Sequence, residues 1–263
     1  MPYKDISSHV SQITLPRANS RKGENGRVLV IGGSTLFHAA SFWSASMASR
    51  LVDMVHFTSP VMENNDLMRV RAKSKFWDGI VVPYEEIEHY IEEDDAILIG
   101  PGMERGEATR VIVNNLLKKY PTKKWVVDGG ALQEVDPTLL SGNMIITPNQ
   151  KELEIIKNKI GSGYSNLQPT VLAKGPTDII SSPTNNLTIT GGGPGLTKGG
   201  TGDVLSGLVA GLAAKSDNFA ACVLASYAVK SASESLSTRV GPFFSPTNLI
   251  DEIPRALKTF LKV

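Results

Sequence analysis

The sequence predicts an α/β fold, a mostly parallel central sheet with helices on both faces, and three observations carry that prediction. Short apolar runs recur along the chain with helical patterns between several of them, the order that β-α-β units produce. The first run is apolar from Val28 to Ile31, as in a strand buried on both faces. Five of the runs end in glycine- or proline-containing loops, at the strand ends where sheets of this kind bind ligands. No domain boundary, internal repeat or low-complexity tract interrupts the pattern, so residues 1–263 are expected to form one domain, with 1–26 as an N-terminal arm.

The arm is polar, with Pro2, Pro16 and a charged turn at 21–26. A strand follows at 27–31, closed by Gly32, Gly33 and Ser34, and then an Ala/Ser-rich helix at 39–51 that must pack closely. Further strands are expected at 54–58, 79–82, 96–99, 125–127, 144–146, 171–173, 178–180 and 187–190, with helices at 105–119 and 150–157. The strand ends read Gly32-Gly33-Ser34, Gly100-Pro101-Gly102, Asp128-Gly129-Gly130, Thr147-Pro148-Asn149 and Lys174-Gly175-Pro176. One glycine turn is ordinary; five such ends point to a shared crevice. The last segments, 218–237 and 247–261, read as helices, the second interrupted by Pro254.

The most informative stretch is 191–211, which holds nine of the 24 glycines. Its second half is helical, with apolar Val204, Leu205, Leu208, Val209, Leu212 and Ala213 just within or beyond it. A glycine-rich loop thus runs into a helix start. Backbone N–H groups converge there without Cβ interference, and the first turn carries positive partial charge, which together make an anion site suited to phosphate. Asp203 stands at its mouth. A carboxylate would repel phosphate but would serve as a base that takes a proton from a hydroxyl about to attack it. The plainer reading is a first-turn acid stabilising the helix dipole. Small residues continue inside the helix at Ser206, Gly207, Ala210, Gly211 and Ala214, at roughly 1 kcal/mol of helix propensity per glycine, so this helix approaches something closely.

Composition narrows the function. Hydrophobic and charged contents of 41% and 20% suit a globular protein with a sizeable core, and a net charge of +1 without a basic stripe speaks against a nucleic-acid partner. Residues 1–20 contain no apolar signal region, and no run of about 18 apolar residues occurs, so no membrane span and a cytoplasmic location are expected. Cys222, the single cysteine, lies in an apolar run and reads as a small core residue. His9, His38, His56 and His89 show no ligand spacing, and no protein-bound metal site is expected; His38, in a possible ligand loop, reads as packed or solvated. A dinucleotide fingerprint is missing, because Gly32-Gly33-Ser34 and the loop from Gly102 to Arg105 do not fit G-x-G-x-x-G. A P-loop fails at Lys198, which Gly199 follows in place of Ser or Thr.

The segment 199–207, Gly-Gly-Thr-Gly-Asp-Val-Leu-Ser-Gly, preceded by Pro194-Gly195, resembles the signature of the nucleotide-dependent NAD(P)H-hydrate dehydratases, a family of the ribokinase-like superfamily. Agreement in order extends to 22–34, Gly100-Pro101-Gly102, Val126-Val127-Asp128, Thr147-Pro148-Asn149 with Glu152-Leu153, and Lys174-Gly175, so the resemblance spans about 22–240. It implies a three-layer ribokinase-like fold and a repair enzyme that removes water from the S form of hydrated NADH or NADPH. The family phosphorylates the hydrate hydroxyl with ADP or ATP and Mg²⁺, and phosphate then leaves as the ring double bond returns. By the same resemblance the hydrated dinucleotide contacts Ala40, Gly102, Asn149 and Asp203, with Asp203 as catalytic base. The adenine nucleotide lies along Lys174, Gly175, Pro176, Thr177, Asp178 and Gly202, and N–H groups of Gly199, Gly200, Thr201 and Gly202 hold the transferring phosphate. On the residues alone, Lys174 also reads as a surface lysine after a strand and Gly102 as a turn glycine.

Two positions depart from the family pattern: Asn149 stands where histidine is usual, and Asp128-Gly129-Gly130 where Asp-Ala-Asp is common. The often fused epimerase domain finds no counterpart in the sequence, which implies a separate epimerase as functional partner. Stand-alone members imply a homo-oligomer, often a tetramer. A kinase of a small hydroxylated metabolite, such as a thiazole or hydroxymethylpyrimidine, would need the same loop and Asp203. A nucleotide-binding protein without catalysis is the third reading, prompted by the two departures.

Overall fold

The computed structural model describes residues 6–74, 78–161 and 168–262; residues 1–5 of the arm lie outside the described residues. All the expected strands form: β1 (Arg27–Ile31), β2 (Met54–Thr58), β3 (Ile80–Val81), β4 (Ala96–Ile99), β5 (Trp125–Val127), β6 (Ile145–Ile146), β7 (Thr170–Ala173), β8 (Thr177–Ser181) and β9 (Asn186–Thr190). They make one 9-stranded sheet in the order β3-β2-β1-β4-β5-β6-β7-β8-β9. Pairing is parallel from β3 to β7, and β8 and β9 add an antiparallel edge.

The apolar strands follow from burial on both faces. Val28, Val30, Ala96, Leu98, Val126 and Ile145 enter one core layer, and their alternating neighbours Leu29, Ile31, Ile97, Ile99, Trp125, Val127 and Ile146 enter the other. The first layer is closed by α2 (Ala39–Ala48), α8 (Thr201–Ala213), α9 (Asn218–Val240) and α10 (Pro246–Leu261), the second by α4 (Ile87–Glu93), α5 (Glu107–Lys119), α6 (Gly129–Glu134) and α7 (Gln150–Ile160). Within the arm, a short helix α1 (Ser7–Val10) is flanked by Ile6 and Ile13, both buried in the first layer. The polar helix α3 (Met62–Ser74) reaches the core through Met68.

One expectation is corrected. Pro254 does not interrupt α10, which continues through it to Leu261. A proline inside a helix costs about 3 kcal/mol. Burial of Leu249, Ile250, Ile253, Leu257 and Phe260 along one stripe outweighs that at about 1.5–3 kcal/mol each. The helix also starts firmly, with Ser245 accepting from the Asn248 N–H and Pro246 in the first turn.

The close approach expected of the small-residue helix is made against α2. A Cβ at Gly207 would lie 2.3 Å from the Ser44 carbonyl oxygen, so the two backbones touch midway along α8. Gly207→Ala is expected to lower stability by about 1–3 kcal/mol; an unchanged urea midpoint would contradict the contact. Cys222 is fully buried in α9, and burial pushes its thiol pKa up. Among the described residues, no helix is long and apolar enough to cross a membrane.

Candidate active site

Strands β5, β6 and β7 and the N-terminus of α8 point at one cavity of about 890 Å³. Of the residues singled out in the sequence, Asn149, Lys174, Gly175, Pro176, Asp178, Gly199, Gly200, Thr201, Gly202 and Asp203 line it. Ala40, Gly102 and Thr177 do not; Thr177 begins β8 with its side chain exposed. Ala40 and Gly102 instead meet each other on the β1–β4 side, where a Cβ at Gly102 would lie 3.2 Å from that of Ala40.

Local chemistry sets the helix start. Gly200, the residue before α8, has φ +97°, and a Cβ there would lie 2.3 Å from the Trp43 ring. Only glycine both adopts that conformation readily and clears the ring. The Thr201 hydroxyl donates to the carbonyls of Leu196 (2.7 Å) and Lys198 (2.9 Å), tying the preceding turn to the helix. Lys198 Nζ donates to the Phe244 carbonyl (2.6 Å), so this lysine holds chain to chain where a P-loop lysine would reach for phosphate.

Asp203 occupies the third position of α8, and its own carbonyl accepts from the Ser44 hydroxyl (2.8 Å). Burial, and then the charge of Asp128, push its carboxyl pKa up to about 7, against the lowering pull of Lys174; Glu152 adds to the rise. A carboxyl poised there exchanges its proton near neutral pH, which is what a general base requires.

Lys174 is the cation of this cluster. Its Nζ donates to Asp128 Oδ1 (2.7 Å) and would lie 3.3 Å from a Cβ on Gly202, so it rests against the helix start. Burial works against its charge, but Asp128, Glu152 and Asp203 outweigh that and hold the ammonium pKa above the ordinary lysine range. The side chain is 18% exposed and is therefore no loose surface lysine. Asn149 lies beside it, since the chain pairs Asn149 with Lys174 past the ends of β6 and β7. Its side-chain oxygen accepts from the Glu152 N–H (3.0 Å), while Glu152 Oε2 accepts from the Asn149 N–H (2.8 Å). That capping box leaves the amide nitrogen of Asn149 as the group able to donate to a ligand.

The second departure has a steric cause. A Cβ at Gly130 would lie 2.0 Å from the Met103 carbonyl oxygen, so the loop after β4 occupies the space that an acidic side chain would need. His38, beside Ala40, shares a hydrogen bond with Asn64 Oδ1 (3.0 Å), and Asn64 Nδ2 donates to the Ser34 carbonyl (2.9 Å), ordering the loop after β1.

A family model described as NAD(P)H-hydrate dehydratase matches residues 28–255. The chain belongs to the NAD(P)H-hydrate dehydratase family. It is 30% identical over 293 aligned residues, covering all of both chains, to the ADP-dependent (S)-NAD(P)H-hydrate dehydratase of Nitrosopumilus maritimus. It is 33% identical to the bifunctional NAD(P)H-hydrate repair enzyme of Methanocaldococcus jannaschii over 92% of this chain and 50% of that one, so it spans about half the length of such bifunctional relatives. Among solved structures it resembles a ribokinase-like superfamily protein of Enterococcus faecalis (TM-score 0.81, 24% identity, 98% of this chain and 94% of that one). It also resembles the ADP/ATP-dependent NAD(P)H-hydrate dehydratase of Bacillus subtilis co-crystallized with ATP/Mg²⁺ (TM-score 0.78, 22% identity, 97% of each). The three-layer arrangement is therefore the ribokinase-like fold.

In this member of the NAD(P)H-hydrate dehydratase family, the sequence reading missed Lys230 and the part Asp128 plays. Asp128 was visible as a strand-end residue and as part of the family match, but without a role, and its link to Lys174 joins positions 46 apart. Lys230 sits in the middle of the long helix α9, where nothing local marks a lysine as facing a cavity. Asp178 lines the cavity while its oxygens accept from the Gly175 N–H (2.9 Å) and the Ser226 hydroxyl (2.6 Å).

Proposed function

We propose that this chain dehydrates the S form of hydrated NADH or NADPH, with ADP as phosphoryl donor. The observation that carries the reading is Asp203, with its pKa raised to about 7, at the glycine-rich start of α8 and beside Lys174 in a cavity of about 890 Å³. Asp203 takes the proton of the hydrate hydroxyl as that oxygen bonds to the terminal phosphorus of ADP and AMP leaves. N–H groups at Gly199, Gly200, Thr201 and Gly202, with the Lys174 ammonium, stabilise the charge developing on the phosphoryl oxygens. The carbon–oxygen bond then breaks, phosphate departs, and a ring proton is lost as the double bond returns. Asn149, Ala40 and Gly102 are read as contacts of the dinucleotide, and the segment from Lys174 to Asp178 as the side of the nucleotide.

Mg²⁺ is read as an ion carried on the phosphates, the usual way this ion is bound. Among the described residues the cluster with metal-ligand spacing is His56, Glu93 and Asp94, and none of these lines the cavity. Asp128, Glu152, Asp178 and Asp203 are the carboxylates that line the cavity, and such an ion would neutralise charge on the donor. We propose further that residues 1–263 form one dehydratase domain, that the protein acts in the cytoplasm as a homo-oligomer, and that an epimerase is its functional partner.

The product distinguishes this reading from a metabolite kinase. With NADPH hydrate and ADP, one inorganic phosphate and one AMP are expected per NADPH formed. A stable phosphorylated product without free phosphate would support the kinase instead.

A further inference from the structure

A second lysine reaches the cavity from α9. Lys230 is 4% exposed, and its Nζ donates to the backbone carbonyls of Gly175 (3.0 Å), Pro176 (3.2 Å) and Gly191 (3.4 Å). It also pairs with Asp178 Oδ1 at 3.4 Å. Those carbonyls belong to two different loops, the β7–β8 turn and the segment after β9, and both loops line the cavity. The Asp178 carboxylate continues the network to the Ser226 hydroxyl on α9. The glycine segment lies against the lysine stem as well, since a Cβ at Gly192 would sit 3.4 Å from Lys230 Cγ.

A buried ammonium is costly unless its hydrogen-bonding capacity is filled. Here oxygens from two loops fill it, so each loop is fixed relative to the other through one side chain. Removing the ammonium would leave three converging carbonyl oxygens with no donor between them. They would repel one another and part, widening the cleft in which the nucleotide is to bind.

We infer that Lys230 is a positioning residue: an internal cation that locks the β7–β8 turn to the loop after β9 and so holds the nucleotide side of the cavity in its binding-ready form. The inference rests on the nucleotide reading of that cavity. A preorganised cradle acts on affinity, because a loop that must be ordered during binding subtracts its ordering entropy from the binding free energy. Lys230 therefore governs the affinity for ADP more than the rate of the chemical step at Asp203.

The test is ADP binding by calorimetry and steady-state turnover for wild type, Lys230→Ala and Lys230→Gln. Both variants are expected to bind ADP about tenfold more weakly, with Lys230→Gln the less affected, while kcat at saturating ADP stays within about threefold of wild type. Propylammonium, which fits the space that Lys230→Ala vacates, is expected to restore ADP affinity in that variant and to leave wild type unchanged. Lys230→Gln retains amide donors for the carbonyls and carries the test should Lys230→Ala fail to fold. Variants that bind ADP as wild type does would overturn the inference, as would a fall in kcat matching the fall in affinity with no rescue. Absence of ADP binding by wild type would instead overturn the nucleotide reading of the cavity.

Discussion

Asp203→Asn is expected to lower kcat about 10²–10⁴-fold, the range that a positioned general base contributes, while ADP still binds. The isosteric amide keeps the start of α8 intact and removes only the proton acceptor. Turnover within threefold of wild type would take Asp203 out of the mechanism. In wild type the ionised carboxylate is the active form and its pKa is about 7, so kcat is expected to rise with pH and level off above that value. Stability runs the opposite way. The folded protein holds this proton from the ordinary value of 3.8 up to about 7, where the unfolded chain has released it, so the contribution is fully present below pH 3.8 and is lost as pH rises through 7. At pH 8 Asp203→Asn is therefore expected to be more stable than wild type by about 1–3 kcal/mol. That is less than the ~4 kcal/mol to which the full shift converts, because the carboxyl is part-exposed. A gain at pH 8 that vanishes near pH 4 is the signature.

Lys174→Met should give the second large effect, this time on stability and on the pH profile together. It leaves Asp128 buried without its 2.7 Å partner, with Glu152 and Asp203 close by, and a stranded buried charge of this kind costs about 3–5 kcal/mol. Lys174 is also the charge that pulls the Asp203 pKa down. Its loss should move the rise of kcat to higher pH, and should weaken phosphate binding at the helix start. Adding Asp128→Asn removes the stranded charge and should recover much of the stability and shift the profile back. A single variant with unchanged stability and an unchanged pH midpoint would show that Lys174 sits outside the cluster.

The fold was readable because each strand announces itself locally. Runs such as 96–99 are apolar on both faces, and Gly207 marked a close helix contact that proves to be with Ser44 on α2. Local signals misled at Pro254, whose penalty is outweighed by contacts that α10 makes with the rest of the first layer. Helices α3, α4 and α6 were not singled out; α3 is polar apart from a few anchors, and α6 has only 6 residues. At the site, Asp203 and its glycine loop were legible since backbone chemistry fixes what such a segment can hold. The Asp128–Lys174 pair and the Lys230 network join residues 39 to 55 positions apart, and their meaning depends on strands and a helix arriving at one place. Gly130 shows the same dependence in reverse, since the missing acid is explained by a carbonyl from another loop.

The most direct measurement follows the return of reduced-nicotinamide absorbance when the protein is mixed with NADPH hydrate and Mg²⁺, with ADP, with ATP or with neither. Recovery that requires ADP, and that Asp203→Asn abolishes, is the expected result. No recovery with either nucleotide, from protein that binds ADP, would contradict the dehydratase and leave the kinase as the reading to pursue.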